Sequence, residues 1–249
     1  MISKNQIKFI RSLEQKKNRR REGLFVAEGP KVVGDLLRAG FVPHSIYSTA
    51  DLPSLSALPT SLSVQTVTDD ELQRISFLQH PQQVLAVFRL PADASTQQLP
   101  PSSLSLALDG IQDPGNLGTI IRIADWFGIS DIYCSPDTAD AYNPKVVQAT
   151  MGSLAHVHIT YCNLVTLLTN APCPVYGTLL DGDDIYQQPL TPNGIIVMGN
   201  EGNGISPAVR PLITHRLLIP NFNVASETAE SLNVAIATAI TCSEFRRRF

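Results

Sequence analysis

Apolar positions along this chain fall into two rhythms. Short runs of five to seven apolar residues read as strands, and segments with apolar residues every three or four positions read as helices. In the first half, a basic helix over about 4–20 precedes the strand of LFVAEG and the helix of PKVVGDLLRAG. Pro30 suits that helix's first turn and Gly40 its stop. The runs HSIYST and LSVQTVT, a helix opened by Asp69-Asp70 and the strand QQVLAVFRL complete a small α/β domain over residues 1–92. Residues 93–103, rich in Pro, Ser and Gln and without apolar period, read as a linker.

From residue 104 to 249 the strands are more continuously apolar: LSLALDG, DIYCS, HVHIT, PVYGTLLDG, GIIVMGN and HRLLIPN. Helices such as NLGTIIRIADWFG and NPKVVQATMGSLA lie between several of them, which predicts a parallel sheet covered on both faces. The C-terminal SLNVAIATAITCSEFRRR is apolar on nearly every side and predicts a buried helix. Trp126, beside Phe127, is expected to pack its helix against the sheet.

Composition narrows the class. With 249 residues, 43% apolar and 16% charged, there is ample material for a core, which excludes disorder over most of the chain. No apolar run approaches the roughly 18 residues a membrane span needs, and the N-terminus lacks a signal-peptide pattern. Four cysteines without a C-x-x-C pair fit reduced thiols and a cytoplasmic location. The strand histidines His156 and His158 have no acidic or thiol neighbour in sequence, so no metal site is expected.

The net charge of −3 conceals an asymmetry: residues 1–31 carry nine bases against three acids, and Arg246, Arg247 and Arg248 end the chain. Lys16, Lys17, Arg19, Arg20 and Arg21 are therefore candidate contacts for a polyanion, although a solvated helix face and a frayed tail would carry the same charges.

In open parallel sheets, ligands sit beyond the carboxyl ends of the strands, and three such loops stand out. In LDGIQDPGNLGTIIRIADWFG, Asn116 would cap a helix beginning near Leu117, and Arg122 is the helix's one cation, a reactive group or an exposed arginine. In GIIVMGNEGNGIS, three glycines follow a strand and precede a helix signalled by Ser206-Pro207; Glu201 lies between them, a functional acid or a solvated turn residue. The spacing matches neither G-x-G-x-x-G nor a P-loop, which disfavours a nicotinamide or NTP site. In LLIPNFNVASETAESLNVAIATAI, Ser231 could cap the last helix, and Asn233, carried into an apolar helix, needs partners.

Taken in order, DPGNLGTIIR, VMGNEGNGIS and IPN followed by ESLNVAIATAI resemble the signature of the SpoU (TrmH-type) RNA ribose methyltransferases of the SPOUT superfamily; KNQIKFIRSL and LFVAEGPKVV resemble that family's small substrate-binding domain. The resemblance implies a trefoil-knotted parallel-sheet domain, a homodimer and S-adenosylmethionine as cofactor. It maps cofactor contacts onto Gly199, Ile219, Leu232 and Thr178, and the reactive set onto Asn116, Arg122, Glu201, Ser231 and Asn233. The activity implied is methyl transfer to a ribose 2′-hydroxyl of structured RNA, ribosomal or transfer. The alternative is a non-catalytic RNA-binding factor in ribosome assembly that uses the knot only to dimerise; loss of the reactive set would favour it, and all five residue types are present. The loop 221–230 is longer than usual for the family and bears on the cofactor pocket.

Overall fold

The computed structural model describes residues 1–51, 64–91, 102–223 and 231–249. Most of the expected linker, residues 93–101, and most of the long 221–230 loop lie outside the described residues. Contacts divide the chain into two compact units, one of residues 1–92 with 140–156, the other of 93–139 with 157–249.

The first unit holds α1 (Lys4–Ser12), α2 (Lys16–Glu22), β1 (Leu24–Glu28), α3 (Pro30–Arg38), β2 (Pro43–Ser48), β3 (Val64–Thr66), α4 (Asp69–Ile75) and β4 (Val84–Arg89). The sheet order is β1-β4-β2-β3, antiparallel except for the β2–β3 pair. Ser3 and Thr68 each close a capping box, with Gln6 and Glu71, which fixes the starts of α1 and α4. Ile10, Leu13, Val26, Leu72, Ile75 and Leu85 form the core on one face of the sheet. Phe25 points to the other, stacked on Phe88 with centroids 5.7 Å apart and touching Tyr142 at 4.9 Å. Tyr142 belongs to residues 140–156, which the sequence expectation assigns to the second domain. The helix within that segment packs on β1, so the segment groups with the first unit.

The expected single helix over 4–20 is broken in two. Asn18 Nδ2 donates to Ser12 O at 2.8 Å, and Arg19 donates to Leu13 O and Glu14 O at 2.8 and 2.7 Å. Side chains of α2 thus satisfy the carbonyls freed where α1 stops. Arg19 is 1% exposed and also pairs with Asp140. Its expected role on an RNA-facing surface is corrected: it is an internal clamp.

The second unit contains β5 (Leu104–Asp109), α5 (Pro114–Trp126) and β6 (Asp131–Cys134). After α6 (Pro144–Ala149), which sits in the first unit, follow β7 (His158–Tyr161), α7 (Leu164–Thr169), β8 (Val175–Asp184), β9 (Gly194–Gly199), β10 (His215–Leu218) and α8 (Val234–Arg247). Six parallel strands run β10-β8-β9-β5-β6-β7, buried along their centre, as their near-continuous apolar runs require. Ala107, Tyr133, Ile195 and Val197 pack with α7 residues on one face, while α5 and α8 lie together on the other. The chain moves from β5 outward through β6 and β7, then returns to build β8 and β9 on β5's other side. The switch point therefore falls between β5 and β9, where Asp109 pairs with Gly199.

Four expectations change here. Asp113, not Asn116, caps α5, its carboxylate accepting from Asn116 N at 2.8 Å. No α-helix follows Ser206-Pro207; a 3-10 turn at Arg210–Leu212 takes its place, with Pro211 removing a donor a longer helix would need. Trp126 is 85% exposed rather than packed on the sheet. The apolar stripe of α5 is Leu117, Ile120, Ile121 and Ala124, so Trp126 falls with Arg122, four residues back, on the other side. Finally, α8 is not buried all round: Val234, Thr238, Cys242 and Phe245 face inward, but Ile236 is 52% exposed.

The basic C-terminus is anchored. Arg246 donates to Phe127 O and Gly128 O, the carbonyls at the end of α5, at 2.7 and 3.0 Å. Arg248 donates to Ile185 O and Tyr186 O, and both Arg247 and Arg248 hold Glu244. The expected frayed tail is thereby corrected: Arg246 and Arg248 tie to backbone carbonyls, while Arg247 holds Glu244 and stays exposed.

Candidate active site

The site grows out of the switch point. Beyond β5 the chain turns at Gly110, whose φ of +75° favours glycine and whose N–H donates to Ser135 Oγ at 2.9 Å. Beyond β9 it turns at Asn200, which exchanges two backbone hydrogen bonds of 2.9 Å with Gly204 and closes a tight loop with Glu201 at its tip. Gly199 is required there: a Cβ would lie 2.2 Å from Gly204 C and 2.3 Å from Ile205 N. Asp109, 7% exposed, accepts from Ser206 N at 2.7 Å and ties down the far side of the same loop.

Three of the five candidate reactive residues meet, from three separate elements. Asn116 on α5 donates through Nδ2 to Glu201 Oε1 at 3.0 Å and accepts through Oδ1 from Asn233 Nδ2 at 2.9 Å. Asn233 does not enter the apolar helix. It is the N-cap of α8, its Oδ1 accepting from Ala235 N at 2.9 Å and Ile236 N at 3.3 Å. Ser231, expected to cap, lies two residues earlier and is exposed. Arg122 stands apart from the chain of bonds: it is exposed on α5 and has no hydrogen bond or ion pair with the described residues.

Of the candidate cofactor contacts, Gly199 ends β9, and Thr178 on β8 has its hydroxyl 3.5 Å from Val197 O and Met198 Sδ. Ile219, half-buried, follows β10, and Leu232 is 49% exposed immediately before the α8 cap. Gly199 and Ile219 stand at the carboxyl ends of β9 and β10, Thr178 lies just past the stretch of β8 that pairs with β9, and Leu232 is beside the α8 start. Among the N-terminal bases, Lys17, Arg20 and Arg21 are exposed, Arg21 beside Glu22; Lys16 is half-buried and Arg19 is internal.

Other reactive side chains recede. Burial pushes the Cys242 thiol up to about 12 and raises Cys134, Cys162 and Cys173 as well, so these thiols are poor nucleophiles. His158 has an acidic neighbour after all, Asp131 Oδ1 at 3.4 Å. Asp109, Asp113 and Asn200 join the site beyond the sequence expectation. The signal for them is the placing of Asx residues beside Gly and Pro turns, where their side chains bond nearby backbone.

Comparison with known proteins shows the family. A model of the SpoU rRNA methylase family matches residues 103–243, and a model of an MRM3-like substrate binding domain matches 4–86. The chain belongs to the SpoU rRNA methylase family. It is 32% identical, over 98% of its length and 97% of the relative's, to a 23S rRNA (guanosine-2′-O)-methyltransferase of Bacillus subtilis. A TrmH-family structure from Porphyromonas gingivalis superposes with a TM-score of 0.90 at 46% identity, covering 100% of both chains. An AdoMet-bound rRNA methyltransferase from Sinorhizobium meliloti superposes at 0.89 with 30% identity, over 100% of this chain and 97% of that one.

Proposed function

We propose that this protein is an S-adenosylmethionine-dependent RNA methyltransferase that methylates a ribose 2′-hydroxyl of ribosomal RNA. The observation that carries the reading is the hydrogen-bonded chain Asn233–Asn116–Glu201 across the switch point, together with Arg122 left without an internal partner among the described residues. The side-chain bonds hold polar groups from three elements in one place, and an unpaired guanidinium is available to an external anion.

The residues present fit the cofactor. The close approach at Gly199 leaves room only for backbone, and half-buried Ile219 after β10 and exposed Leu232 before α8 would offer apolar surface to an adenosine group. S-Adenosylmethionine supplies an electrophilic sulfonium methyl. In this reading Asn116 and Glu201 fix the two loops, and Ser231 and Asn233 orient the ribose. Arg122 stabilises the developing alkoxide and its phosphate without acting as a base, since arginine stays protonated. Alignment of the attacking oxygen with the methyl carbon is the main catalytic contribution, worth up to roughly 7–11 kcal/mol.

The enzyme acts as a homodimer in the cytoplasm. Trp126 and Ile236 expose apolar surface on the adjoining helices α5 and α8, a face suited to a second copy that would bring Arg122 to the partner's site. A trefoil knot in the second unit belongs to the same reading, implied by the family to which the fold is similar. The residues 1–92 bind the RNA.

The test is transfer of labelled methyl from S-adenosylmethionine to ribosomal RNA, with ribose methylation mapped on the product. Arg122→Ala should fold, bind cofactor normally and lose transfer by roughly 10²–10³-fold, as for removal of one oxyanion-stabilising donor. Undiminished turnover would remove Arg122 from the site. No transfer by the intact protein, with cofactor and RNA both bound, would favour the non-catalytic RNA-binding factor.

A further inference from the structure

Glu201 sits at the tip of a glycine-flanked loop and is exposed. Besides the bond to Asn116, its carboxylate has only two long contacts among the described residues, from Gln112 N and Asp113 N at 3.4 Å each. Its carboxylate contacts reach the loop after β5 only if the β9 loop is held in place, and the preceding residue holds it. Asn200 Oδ1 accepts from Gly202 N at 2.9 Å and Asn203 N at 3.0 Å, filling the inside of the loop, while its Nδ2 reaches across to donate to Gly110 O at 2.6 Å. One amide group thus shapes the β9 loop and ties it to the loop after β5, which leads through Asp113 into α5 and Asn116. Asp109 holds the loop's other end through Ser206 N.

We infer that Asn200 is a positioning residue for methyl transfer, acting through Glu201: the Nδ2 bond to Gly110 sets the register of the two loops and so the Glu201–Asn116 contact. The inference rests on the proposed methyltransferase reading. A carboxamide is needed because the two ends of the side chain meet opposite partners, backbone N–H groups within the loop and a carbonyl across it. With Glu201 out of register, the Asn116 amide loses the acceptor that fixes which end faces Asn233, and the three-element chain comes apart.

Asn200→Asp separates this role from simple loop maintenance. Aspartate still accepts from Gly202 and Asn203, so the loop keeps its turn, but the ionised carboxylate has no donor for Gly110 O and repels it. The expected result is a kcat for RNA methylation reduced roughly 10- to 100-fold, the loss attached to an unsatisfied buried polar partner. KM for the RNA should change little. Because a protonated carboxyl regains a donor, activity of Asn200→Asp should recover as pH falls through the carboxyl's pKa, whereas the unmodified protein shows no such acid recovery. Asn200→Ala combined with Glu201→Gln should be no slower than the slower single variant, since both break one unit.

Two readouts need no turnover. Hydrogen exchange at Gly202 and Asn203 should stay protected in Asn200→Asp and be lost in Asn200→Ala, and the Asn116 side-chain amide resonances should move in both. An Asn200→Asp variant with full kcat and unshifted Asn116 resonances would overturn the proposal. An intact protein without methyl transfer would defeat the functional reading instead, and the Asn116 resonances would still decide whether Asn200 sets the loop register.

Discussion

The two units of this molecule use their polar side chains differently. In the first, polar groups bond mainly to backbone or to one buried partner. Arg19 holds Leu13, Glu14 and Asp140; Glu28, whose pKa burial raises, accepts from Ser76 Oγ and Phe77 N; Glu71 accepts from Ile2 N and Thr68 N. In the second, at the carboxyl edge of the parallel sheet, exposed polar side chains bond to one another across three elements, and one cation bonds to nothing among the described residues. A side chain that closes backbone valences explains itself by stability. Exposed carboxamides and a carboxylate held together by their own bonds add little stability in water, so their arrangement points to a ligand.

Removing Arg19 tests this contrast hardest. Arg19→Met should leave Asp140 without its partner and two carbonyls unsatisfied, lowering unfolding stability by about 3 kcal/mol in denaturant titration. RNA affinity per folded molecule should stay unchanged; a stable variant with weakened RNA binding would return Arg19 to the surface role. A smaller effect is expected at the C-terminus. The Arg247 and Arg248 guanidiniums hold the Glu244 carboxyl down at about 2, against about 4.5 ordinarily. A lowered folded-state pKa contributes stability above the unfolded value and loses it as pH falls toward the folded one. The protein should therefore lose stability between about pH 5 and 2 more than Glu244→Gln does, and identical acid profiles would dismiss the tie. Smallest of all, replacing exposed Lys17, Arg20 and Arg21 by glutamine should leave stability within about 0.5 kcal/mol. The same change should flatten the slope of log affinity for RNA against log salt, by about one for each phosphate no longer neutralised. An unchanged slope would move the RNA surface elsewhere.

The periods are legible in the chain alone. The apolar runs LSLALDG and GIIVMGN are buried parallel strands because almost no polar residue interrupts them, and Pro30 and Gly40 bound α3 through backbone conformation. Three motifs at the ends of strands mark the loops in which the candidate reactive residues lie. What each polar residue does there is set only by the folded molecule, because a hydrogen bond depends on a partner distant in the chain. Asn116 and Asp113 are equally good caps by type, but Glu201, 85 residues away, and Asn233, 117 away, engage the Asn116 side chain and leave Asp113 to cap the helix. Arg19 and Arg20 are neighbours of identical charge; only the approach of Asp140 and the end of α1 puts one inside and the other in solvent. Trp126 departs from its expected place for the same reason: hydrophobicity states that a ring prefers cover, while the face of α5 that meets the sheet is set by Leu117, Ile121 and Ala124 together.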